Sequence, residues 1–293
     1  MRILWLIILG LCSTTLWAEE KNPYLGVPAT ELRTRIAAFD AQVREQSWYQ
    51  VEVIAFARRQ PVSGEYWRLD QQPRLSASGV IQPGSGSVLL PEQADEADRK
   101  AVAQGAWKWL PADQLMLNDM IKPMERDGDY RILLHGGWRQ PMRERGRAFP
   151  IMITGGKALP PTSPSPVADQ GPDPLPAATP VPPLNPTLQF NSVDGAEQYN
   201  LMPFSEPEFQ ATLRLHLARY LHVEPDAWLA RTSDAGQRYW VQINQKRRMR
   251  GEELHYLDHP LFGLLLRMTP WKTPEQQQLE KLEQALKASQ KSR

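Results

Sequence analysis

Residues 209–223 read FQATLRLHLARYLHV, and their spacing decides the fold. The odd positions Phe209, Ala211, Leu213, Leu215, Leu217, Leu221 and Val223 are apolar, with Arg219 out of phase. The even positions Gln210, Thr212, Arg214, His216, Tyr220 and His222 are polar, with Ala218 out of phase. A helix turns 100° per residue and would mix the two sets, whereas an extended chain separates them. One apolar and one polar face is the pattern of an antiparallel sheet with a core on one side and water on the other. The spacing predicts a strand over 209–223.

The same period recurs on both sides of it. WYQVEVIAF (48–56), YRILLHGGWRQP (130–141), FPIMIT (149–154) and YWVQINQKRRM (239–249) read as strands. TELRTRIAAFDAQVRE reads as an amphipathic helix capped by Thr30, because Leu32, Ile36, Phe39 and Val43 recur at helical spacing. Residues 92–104 are expected to be helical, as is PADQLMLNDMIKPMERDG, with Pro111 at its start and Gly128 past its end. The closing TPEQQQLEKLEQALKASQ has Thr273 as N-cap, Pro274 at the first helical position and Gln276 to close a capping box. Its apolar stripe is Leu279, Leu282 and Leu286. These elements imply an α+β fold, an antiparallel sheet with helices packed on one face.

Composition shifts divide the chain. Residues 1–18 carry Arg2, then an apolar run from Ile3 to Leu11, then small and polar residues to Ala18, the layout of a secretory signal peptide. Cys12 offers an alternative reading as a lipidated cysteine. Removing 1–18 removes that single cysteine, and with it any disulfide, thiol nucleophile or cysteine-based zinc site. It also leaves 33 Lys+Arg against 33 Asp+Glu, a balance that argues against nucleic acid as the main partner. No later segment is apolar enough to span a membrane once the signal is cleaved. Eleven prolines lie between Leu159 and Pro186, which predicts a long proline-rich, disordered insertion over 158–186. The expected organisation is an N-terminal α+β portion (19–157), that linker, a β portion (187–272) and a C-terminal helix (273–293). The linker either joins two lobes or loops out of one. QPGSGSVLLP lacks the Gly-Lys-Ser/Thr of a phosphate loop.

The densest chemistry is ELHYLDHPLFGLLL (253–266), with His255 and His259 four residues apart beside Glu253 and Asp258. On a helix this pair would chelate a metal. On a strand four residues span about 13 Å, too far for one ion, and Pro260 disfavours helical geometry at His259. A two-residue turn at Arg250-Gly251 would set Arg248 opposite Glu253. It would put His255 and His259 on the polar side with Trp240, Asn244 and Arg248; a slip by one residue would turn both histidines inward. In HGGWRQP (135–141), Trp138 is a platform for a sugar ring and Arg139 a fork for a carboxylate; the alternative is a buried Trp with an ion-paired Arg. QKRRMR (245–250) suits an anionic polymer, or a solvated strand tip paired with acids. No G-x-S-x-G elbow or S-x-x-K motif is present.

Together, WYQVEVIAF, HGGWRQP, RYLHV and RRMRGEELHYLDHPLFGLL resemble the CsiV family of periplasmic proteins. The matching signature positions are Trp138, Arg139, Arg219, Tyr220, His222, Arg247, Arg248, His255, Tyr256, Asp258 and His259. The resemblance implies a periplasmic, peptidoglycan-binding protein involved in cell-shape maintenance. It further implies an accessory role to a class A penicillin-binding protein through its outer-membrane lipoprotein activator. It carries no catalytic motif and no cofactor or metal. The expected ligand-binding residues are Trp138, Arg139, Arg214, Arg219, Tyr220, His222, Trp240, Arg248, His255 and His259. Two alternatives stay open: a hydrolase using the His/Asp/Glu cluster at 253–259, and a protein–protein adaptor without glycan affinity.

Overall fold

The computed structural model describes residues 21–60, 71–73, 75, 79–160, 206–233 and 236–291. The expected signal peptide and residues 161–186 of the proline-rich stretch lie outside them. In chain order the first elements are α1 (Ala29–Ala37), α2 (Ala41–Glu45), β1 (Trp48–Arg58), α3 (Glu96–Ala103), α4 (Asn118–Arg126), β2 (Tyr130–Pro141) and β3 (Pro150–Leu159). There follow β4 (Glu206–Leu217), β5 (Leu221–Thr232), β6 (Arg238–Ile243), β7 (Arg247–Met249), β8 (Leu254–His259), β9 (Phe262–Trp271) and α5 (Pro274–Lys291).

The 209–223 stretch is a hairpin rather than one strand. β4 ends at Leu217 and β5 begins at Leu221, with His216 paired to His222 and Leu215 to Val223. Odd residues pair with odd and even with even, so the two-residue period runs through the turn without a break. The out-of-phase residues Ala218 and Arg219 sit in the turn itself, where Ala218 N–H donates to Tyr220 O at 3.1 Å.

The strands form two antiparallel sheets, ordered β2-β1-β9-β8 and β3-β4-β5-β6, with β7 on β5. Their apolar faces share one core. Val51, Val53, Leu264 and Leu266 of the first sheet join Phe209, Leu213, Leu229 and Val241 of the second, and the Phe209 and Phe262 rings meet edge-on at 6.5 Å. Each such side chain contributes about 1.5–3 kcal/mol by burial. An exposed ion pair contributes about 0–1 kcal/mol, so the shared core dominates. The fold is α+β with antiparallel sheets. Leu159 of β3 pairs with Glu206 of β4, so residues 160–205 leave and re-enter one sheet as an insertion between neighbouring strands.

The other face of the first sheet is covered too. α4 lays Met120, Ile121 and Met124 over Ile54, Phe56 and Leu265. This helix is shorter than the sequence pattern suggests. Residues 112–114 form a 3-10 turn, and the α-helix begins only at Asn118. The delay has a cause in β1. The Glu52 carboxylate, wholly buried, accepts from Met116 N–H at 2.7 Å and Leu117 N–H at 2.8 Å. It thereby ties down the two residues that lead into the helix.

The described residues form two compact units, one within 48–271 and a second of 21–47 with 272–291. In the second, Leu32 packs with Leu282 and Ala285. The α5 capping box forms: Gln276 N–H donates to Thr273 Oγ1 at 3.2 Å, and Thr273 N–H to Gln276 Oε1 at 3.0 Å. Gln276 Nε2 also donates to Val43 O and Gln46 O. The helix expected over 30–45 breaks at 38–40, and Asp40, a residue type favoured at helix starts, precedes the restart in α2.

The hairpin expected around Arg250-Gly251 does not form. β7 pairs with β5, setting Arg248 opposite His222, while β8 pairs with β9. The chain changes sheets there, through Glu252 at φ 68. β8 therefore has the other register: fully buried Leu257 points to the shared core, and Tyr256 packs with Phe56 on the outer face of the first sheet. His255 and His259 share the side of Leu257, because alternate residues point the same way.

Candidate functional site

The polar face of the β4–β5 hairpin gathers five of the ten expected binding residues. Arg214 lies on β4, His222 on β5 and Arg248 on β7, with Arg219 and Tyr220 in the turn. Pairing of His222 with both His216 and Arg248 aligns these three in one row across the strands. The His216 and His222 rings stack nearly parallel, 4.9 Å apart and tilted by 6°. His222 Nδ1 lies 2.9 Å from Tyr220 O, which ties the ring to the turn backbone. Burial, then the neighbouring His222, lowers the His216 pKa, so the inner ring favours its neutral form.

Tyr220 projects into solvent at 43% exposure. The Arg248 guanidinium lies 4.6 Å from its ring centre and that of Arg219 lies 5.6 Å away, within cation–π range. Glu224, one step along β5 on the same face, is already engaged. Arg145 grips both its oxygens, at 2.6 and 2.9 Å, with His216 at 3.6 Å and Lys246 at 3.8 Å. The hydrogen bond from Arg145 lowers the Glu224 pKa. Among the described residues, Arg214, Arg219 and Arg248 have no carboxylate within ion-pair distance.

The other expected residues lie elsewhere. Trp138 has 0% exposure. Its indole N–H donates to Gln140 Oε1 at 2.8 Å and its ring meets Trp109 edge-on at 5.7 Å. The glycines beside it make room for protein, since a Cβ on Gly136 would lie 2.7 Å from the Trp109 ring. Arg139 donates to Gln50 and Gln114 side chains at 3.3 and 2.9 Å and rests 4.6 Å from the Trp271 ring centre. Its pKa is lowered by burial. Trp240, at 5% exposure, packs with Trp228 and Ala230 further along the second sheet.

His255 and His259 serve two separate turns. Arg250 N–H donates to His255 Nε2 at 3.0 Å, and Leu261 N–H donates to His259 Nδ1 at 3.1 Å. Burial, opposed by Asp258, pushes the His259 pKa down to about 4. Asp258 faces the other way, to Arg58 at 3.0 Å and to the Tyr256 hydroxyl. Burial and the bond to Asp258 push that phenol up to about 12. Among the described residues no group of three or more His, Cys, Asp and Glu could hold a metal ion. Reasoning from sequence missed the buried Glu52, whose Oε1 also takes a hydrogen bond from His135 Nε2 at 2.8 Å. It missed Arg145 as the partner of Glu224 as well. Neither has a local signal, because each partner is remote in sequence.

The four signature strings fall on β1, β2, the β4–β5 turn and the run from β7 to β9. The family model described as Peptidoglycan-binding protein, CsiV, matches residues 29–271. The chain belongs to the CsiV family. No curated protein and no solved structure matches it. The CsiV match covers every strand of both sheets together with α1, α2, α3 and α4. Among the described residues no helix is long and apolar enough to cross a membrane.

Proposed function

We propose that this protein is a non-catalytic, periplasmic peptidoglycan-binding protein whose contact surface is the β4–β5 face. The observation that carries the assignment is the set of uncompensated guanidiniums, Arg214, Arg219 and Arg248, around exposed Tyr220 and the His216–His222 stack. Peptidoglycan is a polyanion of sugars and carboxylate-bearing peptides, and membership of a peptidoglycan-binding family supports that ligand. Trp138 and Trp240 are committed to packing, and His255 and His259 to turns. The surface residues therefore reduce to Arg214, Arg219, Tyr220, His222 and Arg248.

We further propose that binding places the protein as an accessory factor to a class A penicillin-binding protein, through that enzyme's outer-membrane lipoprotein activator. The sequence resemblance supports this role, and the layout of residues 1–18 supports the compartment. Co-sedimentation with purified sacculi tests the first statement. The protein is expected in the pellet at low salt and to be released as salt screens exposed charges. Protein wholly in the supernatant at low salt refutes it. Crosslinking to the purified activator, with and without sacculi, tests the second.

A further inference from the structure

We infer that the β4–β5 face recognises the free carboxylates of the peptide stems rather than the sugar rings. The inference rests on the reading that this face binds peptidoglycan, and it names the part of the polymer that is bound. Sugar recognition needs an open aromatic face. On this sheet face the Tyr220 ring already carries two guanidiniums within 6 Å. Trp228 and Trp240 are only 6% and 5% exposed.

What the surface does offer is an excess of positive charge over its one neighbouring acid, Glu224, which lies across from Arg214. Glu224 is held bidentately by Arg145, so it leaves the remaining arginines uncompensated. The Tyr220 ring holds Arg219 and Arg248 within cation–π distance, and no carboxylate of the described residues pairs with them, so their guanidiniums can form the two-pronged bond that suits a carboxylate. Contact with the ring also restricts these side chains before a ligand arrives, so less rotamer freedom is lost on binding. Arg214 on β4 and Arg248 on β7 stand on either side of β5. That separates their strands by roughly 10 Å. A peptide stem with carboxylates along its length can span such a pair; one sugar ring presents no matching charges.

The test compares three ligands, two insoluble ones by sedimentation and a soluble one by competition against intact sacculi. These are intact sacculi, soluble glycan strands freed of their stems by an amidase, and sacculi whose carboxylates have been converted to amides. The protein is expected to pellet with the first and to bind the other two at least tenfold more weakly. The double variant Arg214→Gln/Arg248→Gln is expected to lose about tenfold per arginine on intact sacculi. Circular dichroism and thermal melting of that variant are expected to match the native protein, because both side chains lie at the surface. Equal binding to stripped glycan overturns the inference while leaving peptidoglycan binding intact. Full binding by a folded double variant shows that this face is not the site. Absence of binding to all three ligands defeats the parent reading along with it.

Discussion

Replacing Glu52 by alanine should unfasten one side of the first sheet. Glu52 is wholly buried in the middle of β1. Its carboxylate accepts three hydrogen bonds, from Met116 N–H at 2.7 Å, Leu117 N–H at 2.8 Å and His135 Nε2 at 2.8 Å. A hydrogen bond to a charged group contributes about 1.5–3 kcal/mol, and an orphaned buried donor costs about 1–3 kcal/mol. Met116 and His135 lie close enough to solvent for water to replace part of the loss, but the Leu117 N–H is buried. The expected cost is about 3–4 kcal/mol, a large share of the 5–15 kcal/mol typical of a folded domain. Glu52→Gln should lose roughly half as much, because its amide keeps one acceptor and turns an N–H₂ toward a donor. Urea denaturation measures the change in midpoint, and hydrogen exchange locates it. Amides from 116 to 126 should exchange faster in Glu52→Ala, while the β4–β5 hairpin stays protected. A loss below about 1 kcal/mol, or unchanged exchange in α4, would show that the carboxylate does not hold that helix start.

Two further outcomes follow from the same structure. Trp138→Ala should destabilise by about 3–5 kcal/mol in chemical denaturation; wherever it stays folded it should sediment with sacculi like the native protein, because its ring is sealed in the core. Acid should weaken the fold through His259. Its folded pKa of about 4 lies below its ordinary 6.5, so the unfolded chain binds the extra proton between those values and stability falls as pH drops through that window. His259→Asn, whose side-chain oxygen can take the Leu261 N–H, should flatten that slope in thermal melts run from pH 7 to pH 4; an unchanged slope would point to another group.

Local pattern made much of the fold legible. β2 spans the residues that the alternation of YRILLHGGWRQP suggests, and the cap Thr273–Gln276 forms as its spacing requires. Both depend only on near neighbours. The β4–β5 turn was hidden for a definite reason. Partners pair odd with odd, so a hairpin and one long strand display the same alternation. The turn also contains no Gly, Pro, Asn or Asp to mark it. The polar residues Gln50 and Glu52 alternate with apolar ones in β1, and nothing local shows that the segment at 112–117 covers them.

The candidate surface divides along the same line. Arg214, His216 and His222 were legible as one polar face, because two-residue periodicity assigns each side chain to a side. That Arg248 joins them was not, since β7 pairs with β5 rather than with β8. Nor was the burial of Trp240, which depends on what packs against each strand, whereas a buried Trp138 was one of the two readings open from the sequence.

The extended character of these segments, the alternation that makes each strand two-sided, the helix cap at Thr273 and the likeness to the CsiV family are all written in the order of residues. Those properties arise from backbone sterics, short-range hydrogen bonds and residue type, all of which act within a few positions. Which strands share a sheet, which polar groups are sealed and which arginines lack an acid emerge only when the chain is folded. Strand pairing and burial join residues far apart along the chain, and no local pattern records the partner.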